Sequence, residues 1–411
     1  MVEVTTQVTK IETVVQTIGA NVVGETIRRA PLNGRNVLDL ALMQPGVTET
    51  NGDSGAQGKY SIAGGRSDSV TFLLDGSLNN NLLNNGVVYN PNPDTVAEFR
   101  ILESNYSAEY GRNGGGVISV VTKSGTDSFH GSGFEVLRND SLNANSFFNK
   151  IDGLPRDALK RNQYGGTLGG PIKKEKAFFF VGYQGQRLSA QATTGSNRVY
   201  TPSELNGDFS HSGGDFGADP NGPDPLLACF LSGQYHNDPN HADGTSCGVA
   251  PSTFFQSDPT KAFNAIIDPT KIDPVTQKYI AAGLLPTNAA GFANYQGAQT
   301  RNSNELTMKF DFIPSQRDKI AFTIGGYRNP TLDLFNYATV PGYSDLGKNN
   351  NYFLSGTWSR TLTSNLVNEF RAYSQRNNHE QDTPGSKLPI FSDLGINISS
   401  DNPTGPAESV F

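Results

Sequence analysis

Apolar and polar residues alternate with a period of two in several segments of the chain after residue 128. Leu306, Met308 and Phe310, for example, alternate with Thr307 and Lys309. Successive side chains of a β-strand point to opposite faces of a sheet, so this pattern predicts strands with one apolar face and one small or polar face. Seven segments carry the pattern: 129–138, 163–170, 177–188, 306–312, 320–324, 352–358 and 366–375.

The alternation alone does not decide which face of these strands is buried. A soluble sandwich turns the apolar face inward, whereas a membrane barrel turns it outward to lipid. Short polar turns at 171–176 and 314–318 alternate with long connections at 138–162, 189–303 and 329–349. Compact soluble domains seldom carry such long connections, whereas membrane barrels have short periplasmic turns and long outer loops. We therefore expect a membrane barrel with long extracellular loops.

The first 126 residues follow another pattern, in which short β-branched segments are separated by glycine-rich turns. Three adjacent glycines precede a strand predicted at 117–122, as expected where another backbone passes very close. Apolar residues at 37–43 share one face of a helix that Asn36 or Asn33 would cap. A further strand at 69–74 ends in an Asp-Gly turn. These elements predict a small α+β domain.

Three successive stretches of the chain resemble the plug domain of TonB-dependent outer-membrane transporters, and their sequences are most similar to the Oar-like branch. They are PLNGRNVLDLALMQPGV at 31–47, GGRSDSVTFLLDG at 64–76 and the glycine-rich stretch at 95–126. The resemblance implies a mainly β protein. It would consist of a small α+β plug domain followed by an incomplete antiparallel transmembrane β-barrel with long extracellular loops.

The same resemblance divides the chain into three parts. Residues 1–23 would be an N-terminal lead, 24–126 the plug domain, and 127–411 the N-terminal part of the barrel, with a large extracellular loop at about 189–303. About seven strands precede the end of the chain, whereas a barrel that encloses a plug needs roughly 22. We therefore expect a truncated barrel.

The resemblance also assigns residues to the plug and to a contact with TonB. The residues of the plug motifs are Arg35, Gly64, Gly65, Arg66, Asp75, Gly76, Gly114, Gly115 and Gly116. In the family, a short peptide before the plug adds a strand to the sheet of the energy-coupling protein TonB. The residues that resemble this peptide are Val2, Glu3, Val4, Thr5 and Thr6. Residues 12–17 are a second candidate, and a flexible lead-in or an edge strand explains both stretches equally well.

The composition agrees with a β-rich chain that makes many turns. Charged residues are only 17% of the chain, which has 45 glycines and 10% aromatic residues. No apolar run approaches the roughly 18 residues of a membrane-spanning helix, and residues 1–4 lack the basic and apolar regions of a signal peptide. The formal net charge of −7 argues against nucleic acid as a partner. We expect a protein of the outer membrane of a Gram-negative-type bacterium, with no signal peptide in this chain.

The two cysteines and the histidines indicate structural roles rather than a catalytic or metal-binding site. Cys229 and Cys247 lie in one polar loop without a zinc-binding spacing, so a disulfide is favoured over free thiols. His236 and His241 lie five residues apart near aspartates, but a solvated loop is favoured over a metal site.

No constellation of catalytic residues is visible. Arg66, Asp68 and Asp75 lack a histidine or a second carboxylate at a useful spacing, and an Asp-Gly pair is a turn signal. We predict no catalytic residue, no metal site, no cofactor and no enzymatic activity.

The resemblance implies a receptor or transporter for an unidentified extracellular ligand. A plug would block a large barrel in outer-membrane lipid, and the TonB–ExbB–ExbD complex would pull on the N-terminal peptide to open a path. One alternative is a non-enzymatic outer-membrane surface or adhesion protein on the same scaffold. Others are a soluble all-β protein that binds or hydrolyses carbohydrate, and a fragment without a function of its own.

Overall fold

The computed structural model describes most of the chain. The described residues are 18–50, 60–82, 84–151, 153, 155–193, 197–213, 221–236, 245–335, 344–382 and 395. They form two compact units. The first extends to Ala190 and includes Thr300–Thr331 and Gly347–Gln381, and the second contains Gln191–Gln299 and Leu332–Leu346.

The N-terminal domain, in the first unit, is built on a mixed β-sheet. Its strands are β1 (Ile18–Val23), β2 (Val47–Glu49), β3 (Tyr60–Ile62), β4 (Thr71–Leu74), β5 (Ser77–Leu78), β6 (Val96–Ser104) and β7 (Val117–Thr122). Strands β2 and β3 pair with each other, and the other five form a sheet in the order β1-β6-β7-β4-β5. Strands β4 and β7 run parallel and the remaining neighbours run antiparallel. The helix α1 (Gly24–Arg29) follows β1 directly.

The core of this domain is apolar and lies on the central strands. Ile118 and Val120 of β7 are buried, as expected for β-branched residues of a strand that is covered on both faces. Phe72 of β4 and Phe99 of β6 belong to the same buried cluster. Full burial of each of these side chains stabilises the domain by about 1.5–3 kcal/mol.

The predicted helix is present as a 3-10 helix, Val37–Met43. The Asn36 side chain accepts a hydrogen bond from the Leu38 N–H at 3.2 Å, and so caps the helix. Val37, Leu38, Leu40 and Ala41 are its buried residues. A 3-10 helix is wound more tightly than an α-helix, but these four side chains still pack in the apolar core of the domain.

The remaining strands, with the exception of one short pair, form a second sheet. They are β8 (His130–Asn139), β9 (Leu159–Lys173), β10 (Ala177–Thr193), β11 (Asn197–Arg198), β12 (Phe292–Ala293), β13 (Gln296–Ser315), β14 (Asp318–Asp333), β15 (Asp345–Thr363) and β16 (Leu366–Asp382). Strands β11 and β12 pair separately, and the other seven are ordered β8-β9-β10-β13-β14-β15-β16. This seven-stranded sheet is antiparallel and does not close within the described residues. Turns of two or three residues join β9 to β10, β13 to β14 and β15 to β16.

The seven-stranded sheet buries polar residues and exposes apolar ones. Thr307 and Thr323 are 0% and 2% exposed, whereas Phe322 and Leu354 are 45% and 50% exposed. This is the reverse of a soluble sandwich and is the arrangement of a membrane barrel wall. The predicted fold class is therefore confirmed: a small α+β domain is followed by an incomplete antiparallel barrel sheet.

Five further α-helices lie in the described parts of the connections. They are α2 (Phe147–Ile151), α3 (Pro202–Leu205), α4 (Pro225–Ser232), α5 (Pro259–Phe263) and α6 (Pro274–Ala281). The last four lie in the second unit, where Cys229 and Cys247 are joined by a disulfide with a Cα–Cα distance of 6.1 Å. Across the described part of the chain, no helix has the length and apolar character needed to cross a membrane.

The predicted N-terminal lead ends in a strand. β1 pairs antiparallel with β6, from Ile18 opposite Ser104 to Val23 opposite Glu98, and forms one edge of the five-stranded sheet. The last six residues of the segment 1–23 therefore belong to the folded domain. The segment from Val2 to Val23 is polar and β-branched as a whole and has no long periodic face, so the pairing of its last residues with β6 was not visible in the sequence.

Candidate functional site

Asp75 links the N-terminal domain to the seven-stranded sheet. Its carboxylate accepts hydrogen bonds from the Thr122 N–H at 2.9 Å and the Thr122 Oγ1 at 2.6 Å. From the seven-stranded sheet, Lys309 Nζ donates to Oδ1 at 3.2 Å and Thr323 Oγ1 donates to Oδ2 at 2.7 Å. The Lys309 and Asp75 side chains are only 9% and 10% exposed. This carboxylate thus accepts two hydrogen bonds from the N-terminal domain and two from the seven-stranded sheet.

The Asp-Gly turn that carries this carboxylate is also held by the second sheet. Asp75 and Gly76 have φ values of 47° and 76°, which matches the predicted tight turn between β4 and β5. Arg371 Nη1 donates to the Gly76 carbonyl oxygen at 2.5 Å. A Cβ atom on Gly76 would lie 2.6 Å from the Arg371 guanidinium, so the contact requires glycine here.

Tyr89 and Asn92 form a second contact with the seven-stranded sheet. Glu305 Oε1 accepts hydrogen bonds from the Asn92 N–H at 2.6 Å and from Asn92 Nδ2 at 3.0 Å. The Tyr89 hydroxyl lies 2.7 Å from Thr307 Oγ1 and donates to the Leu306 carbonyl at 3.1 Å. All the side chains that meet here are buried. Burial raises the pKa of Tyr89 well above its usual value, and the nearby Glu305 charge acts in the same direction, so this phenol stays a hydrogen-bond donor.

We name this set of contacts the polar seam. Its members are Asp75, Tyr89, Asn92, Glu305, Thr307, Lys309 and Thr323. Each residue of the seam has a hydrogen-bond partner on the opposite side, in keeping with the high cost of an unpaired buried polar group. The two sides of the seam are therefore matched to each other residue by residue.

Arg35 makes a further contact. Its guanidinium forms an ion pair with Asp94, and its Nε donates to Gln184 Oε1 of β10 at 2.9 Å. The guanidinium carbon also lies 3.8 Å from the centre of the Phe134 ring of β8. The backbone of Arg35 has a positive φ of 60°. The predicted motif residue thus positions its loop against β8 and β10.

Two glycines of the seven-stranded sheet make room for the N-terminal domain. A Cβ atom on Gly325 would lie 2.5 Å from the Tyr89 ring, and one on Gly182 would lie 2.2 Å from the Thr95 methyl carbon. Such distances are too short for any real Cβ atom. These positions act as sockets for Tyr89 and Thr95.

Two of the three adjacent glycines support packing within the N-terminal domain. A Cβ atom on Gly115 would lie 2.6 Å from the Ser69 carbonyl oxygen, and one on Gly116 would lie 2.6 Å from the Ile62 side chain. Gly114 has no neighbouring atom within 4 Å of such a Cβ. The close approach of another backbone that the sequence predicted thus occurs at the second glycine, whereas the third makes room for a side chain.

The other predicted motif residues lie away from the polar seam. Gly64 has a positive φ of 75°, and a Cβ on Gly65 would lie 3.1 Å from the Ile62 carbonyl oxygen. Arg66 is exposed and pairs with Asp68 at 2.8 Å. Val2, Glu3, Val4, Thr5 and Thr6, which were predicted to contact TonB, lie outside the described residues.

Sequence reasoning did not single out the seam residues of the seven-stranded sheet. Glu305 and Lys309 of β13 and Thr323 of β14 lie at the polar positions of alternating strands. Glu305 and Lys309 lie four residues apart and therefore on one face of the strand, but a water-lined barrel interior carries such charges as well, so their spacing is no signal for a buried contact. No group of three or more potential metal ligands occurs among the residues that the structure describes.

Two family models match the chain in sequence order. The model for the TonB-dependent receptor plug domain matches residues 10–118, and the model for the outer membrane beta barrel domain matches residues 121–410, more than half of the chain. The chain belongs to the TonB-dependent outer-membrane receptor family. The five-stranded domain is its plug, and the seven-stranded sheet is part of its barrel wall.

A curated relative is the TonB-dependent transporter Oar of Myxococcus xanthus, 31% identical over 203 residues, which are 46% of this chain and 18% of the relative. The outer membrane transporter YddB of Escherichia coli is a similar solved structure, with 15% identity, a TM-score of 0.49, and coverage of 84% of this chain and 37% of that one. A ferric enterobactin receptor of Pseudomonas aeruginosa, solved with enterobactin, has 14% identity and a TM-score of 0.44, covering 88% of this chain and 41% of its own. The chain thus spans less than half the length of each.

Proposed function

We propose that the complete receptor takes up an extracellular ligand across the outer membrane by energy-coupled displacement of the plug. The TonB–ExbB–ExbD complex is the proposed source of force, and residues Val2 to Thr6 are its proposed point of attachment. The observation that carries the proposal is the polar seam between plug and wall. No residue in this role performs catalysis, and the protein is proposed to be a transporter rather than an enzyme.

The chemistry of the polar seam suits an interface that opens and closes. Separating an apolar interface exposes apolar surface to water, which costs about 25 cal/mol per Å² of that surface. Hydrogen bonds of a polar interface are instead exchanged for hydrogen bonds to water, so that each contributes a net of only about 0.5–1.5 kcal/mol. The Lys309–Asp75 pair is compatible with this exchange because both charges regain hydration when they separate. A plug held in this way is specific in position but can be released.

The edge strand β1 is the proposed entry point for the pulling force. It follows residues 1–17 in the sequence, and among the described strands its one partner is β6. None of its six residues is buried. Strands that bury little apolar surface open at low local free energy. Tension on the N-terminus would therefore separate β1 from β6 before it disturbs the apolar core.

A buried reporter thiol tests energy-coupled displacement without knowledge of the ligand. Thr95 is fully buried against Gly182 of the wall. The two native cysteines are bonded to each other, so Thr95→Cys adds a single free thiol. Cells that express this variant are treated with a membrane-impermeant maleimide in conditioned medium, with or without a protonophore. We expect labelling in energised cells and little labelling when the proton gradient is collapsed.

A disulfide lock provides the matched control. A Cβ atom on Gly182 would lie 3.5 Å from the Thr95 Cβ, which is within the range for a disulfide. The double variant T95C/G182C should resist labelling until it is reduced, and the native chain, which has no free thiol among its described residues, shows the background. Equal labelling of T95C with and without the protonophore would contradict plug displacement.

A role as a surface or adhesion protein is a second candidate. The connection between β10 and β13 forms part of a separate compact unit, which contains a disulfide and exposes large apolar side chains such as Phe254 and Leu226. A folded outer loop of this kind is suited to binding a partner. Deletion of residues 221–250 should abolish cell attachment and leave T95C labelling intact if adhesion is the function. Normal attachment by the deletion variant would rule this function out.

A further inference from the structure

A cleft in the first unit lies between the plug and the first two strands of the wall. Its volume is about 280 Å³. On the plug side it is lined by the loop from Ala30 to Arg35, and on the wall side by Arg138 of β8 with Arg161 and Gln163 of β9. The polar seam does not use this cleft.

Two arginines lie side by side on neighbouring strands of the wall that lines this cleft. Arg138 and Arg161 are directly paired in the β8–β9 ladder, so their side chains leave the same face of the sheet. That face is the inner one, because Arg161 Nη1 donates to Asn33 Oδ1 of the plug at 3.2 Å. Like charges directly opposite each other destabilise a β-ladder. A departure from local rules of this kind is expected at functional sites.

The positive charge of this pair is not neutralised by the protein. Arg35 has Asp94 as its ion-pair partner, and Arg28 has Glu25. In contrast, neither Arg138 nor Arg161 forms an ion pair within the described part of the chain. Arg161 Nε is buried and has no hydrogen-bond partner there. Besides Arg138, the other charged group close enough to act electrostatically on Arg161 is also an arginine, Arg301.

We propose that this cleft binds an oxyanion, namely a phosphate or carboxylate group, between Arg138 and Arg161. The planar guanidinium groups offer paired N–H donors that fit such oxygens, and Asn33 and Gln163 supply further polar contacts. The arginines face the plug rather than the lipid, so the anion is a group on a free solute. The role of the cleft as a station for an anionic transported ligand rests on the proposed transport function, but anion binding does not.

The test is calorimetric titration of the full chain in detergent micelles with inorganic phosphate and, separately, with succinate. Arg138→Gln and Arg161→Gln remove one charge each, and Arg317→Gln removes the same charge from the exposed turn between β13 and β14. Loss of a hydrogen bond to a charged group lowers affinity by about tenfold or more. We expect saturable binding that weakens at least that much in R138Q and R161Q and is unchanged in R317Q. Circular dichroism verifies that each variant keeps its β structure.

The opposite results are equally clear. Absence of saturable binding of either anion, or equal affinity in R161Q and R317Q, would overturn the proposal. A further arm adds phosphatidylglycerol to the micelles, and binding of this lipid alone would exclude a free solute. Because the titration needs no proton gradient, it can succeed when energised labelling of T95C fails, and the two proposals are judged separately.

Discussion

The plug sheet and the wall sheet are both made of β-strands, but they bury opposite kinds of side chain. In the plug, Phe72 and Phe99 are buried, and the domain is held together by apolar packing. In the wall, Thr307 of β13 is buried against Tyr89 of the plug, while Phe322 of β14 is exposed on the face that a barrel turns to lipid. The contrast teaches that burial alone does not identify the core of such a chain. The surrounding medium decides which face is stabilised.

The largest expected effect separates the two kinds of apolar residue. Phe99→Ala leaves a cavity in the plug core and should destabilise the plug by about 3–5 kcal/mol. Phe322→Ala on the outer face of the wall should change plug stability by much less, since it removes only a lipid contact. Hydrogen–deuterium exchange of plug amides, followed by mass spectrometry in detergent, measures both. Similar exchange in the two variants would remove the distinction between core and outer face.

The next effect concerns the polar seam. Lys309→Met leaves the Asp75 carboxylate buried without its cation, which should cost about 3 kcal/mol. The double variant D75N/K309M removes both charges and should recover a large part of that loss. Exchange protection of the Thr122 amide, which donates to Asp75, is the local readout. If the double variant were less stable than the single one, the pair would not act as a unit.

A smaller effect is expected at the Tyr89 socket. Gly325→Ala places a methyl group 2.5 Å from the Tyr89 ring and should cost about 1–3 kcal/mol of plug docking. Gly326→Ala is the matched control, because its Cβ would lie 4.0 Å from the nearest neighbouring atom, which is on the Tyr352 ring. Limited proteolysis of the plug compares the two variants. Equal resistance to cleavage would show that the wall does not constrain Tyr89.

The smallest effect is a pH dependence inside the plug. Burial raises the pKa of Asp39, despite hydrogen bonds from Asn36 at 2.6 Å and Tyr60 at 3.4 Å. A raised folded-state pKa means that the stabilising contribution is fully present below the unfolded value and is lost as pH rises through the folded one. Asp39→Asn should therefore be at least as stable as the native plug at pH 7. Calorimetric midpoints at pH 4 and pH 7 should show a reduced pH dependence in this variant, whereas an unchanged dependence would mean that another group titrates.

The sequence by itself determined the strands, the turns and the order of the two domains. These features depend on local patterns: a period of two in residues such as 306–312, an Asp-Gly turn at 75–76, and adjacent glycines before 117–122. Each is encoded within a few neighbouring residues. The family resemblance rests on the same short motifs, and the matching family models confirm it.

Only the tertiary structure decided which polar residues meet. Asp75 and Lys309 are 234 positions apart, and Tyr89 and Thr307 are 218 apart. Arg138 faces Arg161 because of the register of β8 and β9. Shifting a strand by one residue would turn each of these side chains to the other face. The polar seam and the arginine cleft therefore arise from the register and docking of two sheets, which no local spacing in the sequence encodes.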